Sequence, residues 1–176
     1  KLPGNSMIEK YLYEVSTSQE FYILCYLDLD NFKAFNDVYG FRNGDRAIIL
    51  FADILKKNLS QEFFKAHIGG DDFFIAIQSS YEDDQKQIDA IMKIVKKFCD
   101  DTRELYSQED KENGYILSAD REGNKKKFPL LSVSASVLMV RSSSKKRDVD
   151  TLNEIFSFQK KVAKQEANHI SISCML

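Results

Sequence analysis

Hydrophobic side chains follow two periods along this chain, one typical of strands and one typical of helices. Residues 21–28 form a continuous apolar run that ends on an acid, which predicts a buried strand with Asp28 at its carboxyl end. A short helix over residues 31–40, closed by Gly40, and an amphipathic helix over 45–59 are predicted next. Strands at 63–68 and 73–78 flank the sequence Gly-Gly-Asp-Asp, which predicts a hairpin.

The second half of the chain continues the alternation of helices and strands. It predicts a protruding hairpin around 114–130, a strand over 131–139, a loop at "RSSSKKRD", a helix over 149–166 and a final strand at "HISISC". A long helix precedes the hairpin, and its buried face is predicted to carry Ile88, Ile91, Met92, Val95, Phe98 and Cys99. Strands interleaved with helices indicate an α/β fold with a mixed central sheet and flanking helices.

Size and charge narrow the classes of function. The 176 residues are one domain, residues 1–176, and 25 Lys plus Arg against 27 Asp plus Glu give a net charge of −2, which argues against a nucleic-acid partner. No apolar run is long enough to cross a bilayer, so we expect no direct membrane contact. Cys25, Cys99 and Cys174 are predicted to be buried thiols of a cytoplasmic protein. Because the chain starts at Lys1 without Met, we expect a domain excised from a longer multidomain protein.

The Gly-Gly-Asp-Asp stretch allows two interpretations. Gly69 and Gly70 suit a tight hairpin turn, which would be a purely structural role. Alternatively, the turn presents Asp71 and Asp72 to a metal ion. If the hairpin strand neighbours the first strand, Asp28 joins them at one edge of the sheet; otherwise Asp28 is a strand-end acid that caps the next helix.

Several ordered motifs together resemble one family. "LDLDNFKAFNDVYGFRNGD" followed by "IGGDDF", with "LPGN" near the start and "AKQEANHI" near the end, resembles the GGDEF domain of the diguanylate cyclase family. The resemblance implies a nucleotide-cyclase-like fold with a ferredoxin-like palm. It also implies that two GTP molecules are condensed into cyclic di-GMP in a face-to-face homodimer, with Mg²⁺, or alternatively Mn²⁺, as the cofactor.

The resemblance also assigns roles to the acids. Asp28, the Leu29 carbonyl, Asp71 and Asp72 are matched to metal ligands, and Asp71 and Asp72 to the catalytic positions. Hard oxygen ligands of this kind suit Mg²⁺, which neutralises charge on a transferring phosphoryl group.

The nucleotide contacts follow from the same resemblance. Asn36 and Asp45 are matched to guanine recognition, because a carboxylate accepts hydrogen bonds from two adjacent donors that adenine does not offer. The alternative for Asp45 is the N-cap of the second helix. The remaining matched positions, for phosphate or close backbone approach, are Lys33, Lys164, Asn31, Phe32, Gly69 and Gly70.

The chain departs from the family pattern at several positions. Asp72 replaces a Glu, which shortens the side chain by one methylene group and weakens its reach to a second ion. Elsewhere, His67 replaces an Arg, Phe41 replaces a His, Asn168 and His169 stand at Arg-Asn, and Ser60 to Phe63 stand where an inhibitory product site has Arg-x-x-Asp. Product inhibition through that segment is therefore not expected.

The sequence is compatible with two functions. The first is an active diguanylate cyclase. The second is a catalytically degenerate GGDEF domain that binds GTP and regulates an attached domain. A structural domain without nucleotide is disfavoured because so many polar positions of the pattern are present. The "HIGGDDF" and "DREG" stretches resemble the branch of GGDEF domains joined to EAL and CBS domains, so attached sensory, EAL or CBS domains are expected.

Overall fold

A computed structural model describes residues 2–120, 122–141 and 148–175. The helices are α1 (Asn5–Thr17), α2 (Phe32–Tyr39), α3 (Phe41–Asn58), α4 (Asp84–Asp101), α5 (Gln108–Asn113) and α6 (Val149–Ala163). The strands are β1 (Phe21–Asp30), β2 (Phe64–Gly69), β3 (Asp72–Ser79), β4 (Tyr115–Ala119), β5 (Lys125–Pro129), β6 (Ser132–Val140) and β7 (Ile170–Met175).

Five strands form one mixed sheet in the order β2-β3-β1-β6-β7. Strand β1 is antiparallel to both β3 and β6, whereas β6 and β7 run parallel. The predicted α/β fold with a mixed central sheet is therefore confirmed, and so is the adjacency of the first strand to the hairpin. This adjacency decides where the acids lie, because Asp28 is the register partner of Asp72.

The two faces of the sheet pack against different helices. Odd-numbered residues of β1, such as Leu27, pack with α2, α3 and α4. Even-numbered residues, such as Leu24, pack with α1 and α6. Because successive side chains of a strand point to opposite faces, β1 is buried on both sides and reads as an unbroken apolar run. Asp28, also even-numbered, lies on the face covered by α1 and α6.

Several details of the sequence prediction are wrong. The prediction missed α1 altogether, and α3 begins at Phe41 rather than at residue 45. Gly40, with a φ of 81°, is the N-cap of α3, so Asp45 lies inside that helix and cannot be its cap. On α4, Met92 is 42% exposed and Ile94 takes its place in the core. Cys25 is buried as predicted, but Cys174 is exposed, because alternate side chains of the edge strand β7 face outward.

The predicted hairpin around 114–130 is present as the separate two-stranded sheet β4-β5. It is anchored rather than fully solvated: Ile116 is buried in the core, and the Tyr106 hydroxyl accepts a hydrogen bond from the Leu131 amide at 2.7 Å. Tyr39 of α2 also contacts Asp110 of α5 next to the hairpin. Of the predicted loop 141–148, residues 142–147 lie outside the described part of the chain. Across the described residues, no helix combines the length and apolar character that a membrane crossing requires.

Candidate active site

The Gly-Gly-Asp-Asp stretch forms a hairpin turn between β2 and β3. Gly70 adopts a φ of 55°, a left-handed conformation that glycine reaches at little cost. The Leu29 amide donates a hydrogen bond of 3.0 Å to the Asp71 carbonyl, which ties the turn to the end of β1. The turn is therefore structural, and it also brings Asp71 and Asp72 beside Asp28. The alternative that Asp28 caps the next helix is wrong, since Asn31 is the N-cap of α2.

Two lysines reach the acids from the covering helix: Lys160 of α6 and Lys164, the C-cap of that helix. Lys160 Nζ lies 2.6 Å from Asp28 Oδ2 and 2.9 Å from Asp72 Oδ1. Lys164 Nζ lies 2.8 Å from Asp28 Oδ1. Residues four apart on a helix share one face, so a single docking position of α6 sends both ammonium groups to the same carboxylate. Both oxygens of Asp28 are thus engaged by lysine.

The surroundings shift the pKa values of Asp28 and Asp71 in opposite directions. Burial alone would raise the pKa of Asp28, which is only 3% exposed, but the ion pairs with Lys160 and Lys164 outweigh it and lower that pKa. The pKa of Asp71 is raised, first by burial and then by the negative charges of Asp28 and Asp72. The cluster therefore holds Asp28 firmly as an anion, whereas no lysine of the described residues contacts the carboxylate of Asp71.

Lys160 is held by further groups besides the two acids. Its ammonium lies 4.8 Å from the ring centroid of Tyr26, which is a cation–π contact. Burial raises the pKa of Tyr26, and the neighbouring Asp72 raises it further. Burial lowers the pKa of Lys160, but its bonds to Asp28 and Asp72 raise it by more. The Lys160 ammonium is thus charged and enclosed by two carboxylates and a ring.

A cavity of about 570 Å³ lies beside the cluster, a volume within the range of small-molecule sites. The helix α2 begins at this cavity, where Asn31 adopts a φ of 62° before the first turn. Lys33 is exposed and pairs with Asp37 at 3.1 Å. The predicted site residues that line the cavity are Leu29, Asn31, Phe32, Lys33, Asp71 and Lys164.

Asn36 and Asp45 stand apart from the lining of this cavity. The Asn36 Oδ1 atom is buried and has no hydrogen-bond partner within the described structure. It packs against Gly44, where an added Cβ would lie 1.9 Å from that oxygen. Asp45, next to Gly44 on α3, is exposed. The two residues predicted to recognise guanine therefore lie on neighbouring turns of α2 and α3.

The departures from the family pattern have local structural roles. His67 Nε2 lies 2.9 Å from the Gly70 carbonyl oxygen, so this side chain supports the hairpin turn. His169 Nδ1 lies 3.3 Å from Asp30 Oδ2 at the start of β7. Phe63 is buried in the core at 5% exposure and is not available as a polar ligand. Phe41 is 80% exposed at the start of α3, and no contact explains its position.

Two residues of the site escaped the sequence prediction. Lys160 was missed, although its spacing of four from Lys164 on one helix is the signal that could have found it. Lys126 is not among the predicted site residues, but it lines the cavity together with Asp120 and Phe128 of the hairpin region. The hairpin β4-β5 is thus a wall of the candidate site.

The donor chemistry of the acids fits a divalent ion, because Asp28, Asp71 and Asp72 offer hard carboxylate oxygens close together. The arrangement is nevertheless not a ready cluster of ligands. Within residues 2–120, 122–141 and 148–175, no group of three or more His, Cys, Asp or Glu side chains is disposed to hold a metal. The oxygens of Asp28 and Asp72 are directed at Lys160 instead.

The fold and the site define an α/β domain that presents turn acids beside a polar cavity. The profile of the family described as "Diguanylate cyclase, GGDEF domain" matches residues 5–119. The chain belongs to this family, which confirms the resemblance seen in the sequence motifs.

Curated relatives and solved structures agree with this assignment. The chain is 40% identical over 57 residues to the diguanylate cyclase DgcS of Shewanella oneidensis, a match covering 32% of this chain and 19% of DgcS. It is 32% identical over 84 residues to the bifunctional diguanylate cyclase/cyclic di-GMP phosphodiesterase MucR of Pseudomonas aeruginosa, covering 45% of this chain and 12% of MucR. The chain therefore matches about a fifth or less of the length of these relatives.

Among solved structures, the coiled coil and GGDEF domain of DgcB from Caulobacter crescentus, in complex with c-di-GMP, has a TM-score of 0.67. The identity is 15%, and the match covers 98% of this chain and 82% of that chain. This likeness establishes the GGDEF fold over nearly the whole chain.

Proposed function

We propose that this chain is a diguanylate cyclase domain that condenses two GTP molecules into cyclic di-GMP. The observation that carries the proposal is the meeting of Asp28, Asp71 and Asp72 at the end of β1, beside the cavity that Lys164 and the start of α2 line. Each domain binds one GTP, and two domains face each other in a homodimer. The substrate places the domain in the cytoplasm.

The triphosphate binds along the cavity. Lys33 and Lys164 supply positive charge, and the first amides of α2, at Asn31 and Phe32, point at an anion as free helix N-terminal donors do. Lys126 of the hairpin adds a cation on the opposite wall. The phosphates therefore meet lysines from three parts of the fold, in a cavity that Asp71 also lines.

In the reaction, the ribose 3′-hydroxyl of each GTP attacks the α-phosphate of the other. Each of the two attacks joins a 3′-oxygen to phosphorus and breaks the bond from the α-phosphorus to the bridging oxygen, so that two pyrophosphates leave and the ring closes. Asp71 lines the cavity and its raised pKa favours its protonation, so it is the acid that accepts the hydroxyl proton. A divalent ion, Mg²⁺ or Mn²⁺, held by Asp28, the Leu29 carbonyl, Asp71 and Asp72 would neutralise charge on the phosphoryl group.

Guanine recognition rests on Asn36 and Asp45. The Oδ1 atom of Asn36, which has no partner among the described residues, accepts a hydrogen bond from the nucleotide. The exposed carboxylate of Asp45 accepts hydrogen bonds from the N1–H and the exocyclic amine of guanine. Adenine would leave these groups unpaired, so the site selects GTP over ATP.

One observation favours a second function. Lys160 holds both Asp28 and Asp72, which suits a domain that binds GTP without turnover and regulates an attached domain. Attached sensory, EAL or CBS domains would be the partners of either form.

The test is product formation in an enforced dimer. We expect the domain, fused to a dimeric coiled coil and given GTP and Mg²⁺, to produce cyclic di-GMP detected by chromatography and mass spectrometry. Asp71→Asn should lower the rate about 100-fold or more, the scale of a lost proton acceptor. No product from a folded fusion that binds GTP would support the regulatory function instead.

A further inference from the structure

Lys160 occupies the position between the two acids that face each other across the β1-β3 pair. Asp28 and Asp72 are register partners in adjacent strands, and the Lys160 ammonium contacts one oxygen of each at 2.6 and 2.9 Å. Lys164 differs, since among the described acids it pairs with Asp28 alone, and it also lines the cavity. One ammonium thus bridges the pair and the other flanks it.

The bridging position is built by the surrounding residues and is not a chance surface contact. The Tyr26 ring lies 4.8 Å from the Lys160 ammonium, so an aromatic face contacts the same group that the two acids bind. The side chain of Asp28 is only 5% exposed, and that of Lys160 is 32% exposed. Three side chains from β1 and β3 therefore orient toward the end of one lysine.

We propose that Lys160 is an intramolecular competitor of the divalent ion at Asp28 and Asp72. An ammonium and a metal ion need the same oxygens, and their like charges repel strongly a few ångströms apart. The ion therefore binds this pair only when Lys160 withdraws, and the domain without nucleotide holds its ion weakly.

The structure provides a place for the withdrawn side chain. Lys160 also lines a second cavity of about 420 Å³, between α1 and α6 on the same face of the sheet. Glu9 of α1 lies on the wall of that cavity and carries the opposite charge. Rotation of the lysine stem toward α1 would release the two acids without moving the backbone of α6.

The inference rests on the proposed function for the identity of the ion, but its test uses neither nucleotide nor turnover. Mn²⁺ is titrated into the full 176-residue chain, and the free ion is followed by its EPR signal. Lys160→Met should bind Mn²⁺ about tenfold or more tightly than the unaltered chain, because a neighbouring positive charge is removed. Lys161→Met, an exposed lysine one residue further along α6, is the matched control and should leave the affinity unchanged.

Two further variants keep the test decisive. Lys160→Gln retains a polar tip and should show the same gain if the Met variant folds poorly, as judged by circular dichroism. Adding Asp72→Asn to Lys160→Met should remove the gain, which locates the ion at the acid pair. Equal Mn²⁺ affinity in the unaltered chain and in a folded Lys160 variant would overturn the inference. Absence of cyclic di-GMP synthesis would count against the proposed function alone.

Discussion

The candidate site has two ends that are organised differently. The acid end consists of Asp28, Asp71 and Asp72, and the base end, named for the guanine base, consists of Asn36 and Asp45. At the acid end, Asp28 is buried and both of its oxygens are engaged by the two lysines. At the base end, Asp45 is exposed and the buried Oδ1 of Asn36 lacks a partner in the described part of the chain. Buried charges are stable only when they are paired, whereas an exposed carboxylate is satisfied by water and a buried oxygen without a partner is satisfied only when a ligand donates to it.

This contrast indicates that the acid end contributes to the stability of the fold and the base end to recognition of the nucleotide. The acid end is part of the folded structure, because its charges are balanced within the protein before any ligand arrives. The base end depends on what binds there. We therefore expect substitutions at the acid end to alter folding and metal binding, and substitutions at the base end to alter nucleotide affinity.

The largest effect on stability is expected at Asp28. Asp28→Asn removes the charge that both lysines share and should lower the free energy of unfolding by about 2 kcal/mol, less than for a fully buried pair because the lysines reach water. Urea denaturation followed by circular dichroism measures the change.

Asp37→Asn is the matched control for this substitution. Asp37 pairs with Lys33 at 3.1 Å on the surface of α2, and the loss of such a pair should cost about 0.5 kcal/mol or less. Equal losses in the two variants would show that the acid end is no more integral to the fold than a surface ion pair.

A smaller effect is expected at Gly44. An added methyl group would overlap Asn36 Oδ1, so Gly44→Ala should displace that amide and weaken GTP binding about tenfold, or about 1.4 kcal/mol. Stability should change little, because alanine is favoured over glycine by about 1 kcal/mol within a helix and offsets part of the overlap. Isothermal titration with GTP measures the affinity.

A double-mutant cycle tests whether the Gly44 effect passes through Asn36. Asn36→Ala should weaken GTP binding by a similar factor, and the double variant should lose little more. Gly4→Ala, at a position with no other atom within 4 Å, is the control and should bind GTP normally. Additive losses in the double variant would mean that Gly44 acts on the site by another route.

Much of the acid end could be predicted from the sequence. The apolar run of β1 ends near Asp28, and the Gly-Gly turn places Asp71 and Asp72 after a strand, so the acids needed only strand adjacency to meet. The roles of the lysines were harder to see. The spacing of four places Lys160 on the same face as Lys164, but that this face meets the acids depends on how α6 docks on the sheet, which is a long-range event.

At the base end, the sequence predicted the residues but not the helix boundary beside them. Asp45 stands where an N-cap would be expected if the helix began at residue 45, but Gly40 turns the chain earlier and α3 starts at Phe41. Element boundaries depend on such backbone conformations more than on apolar periodicity. The helix α1 was missed although its buried residues, Ile8, Leu12 and Val15, follow the spacing of an amphipathic helix.

The central claim is that the acid end performs chemistry while the base end selects the nucleotide. The most direct measurement is the ratio of GTP to ATP affinity, by isothermal titration with Mg²⁺, for the unaltered chain, Asp71→Asn and Asp45→Ala. We expect Asp71→Asn to keep the ratio and Asp45→Ala to lower it about tenfold or more, because the paired acceptors for guanine are lost. A ratio that falls in Asp71→Asn and persists in Asp45→Ala would contradict the account.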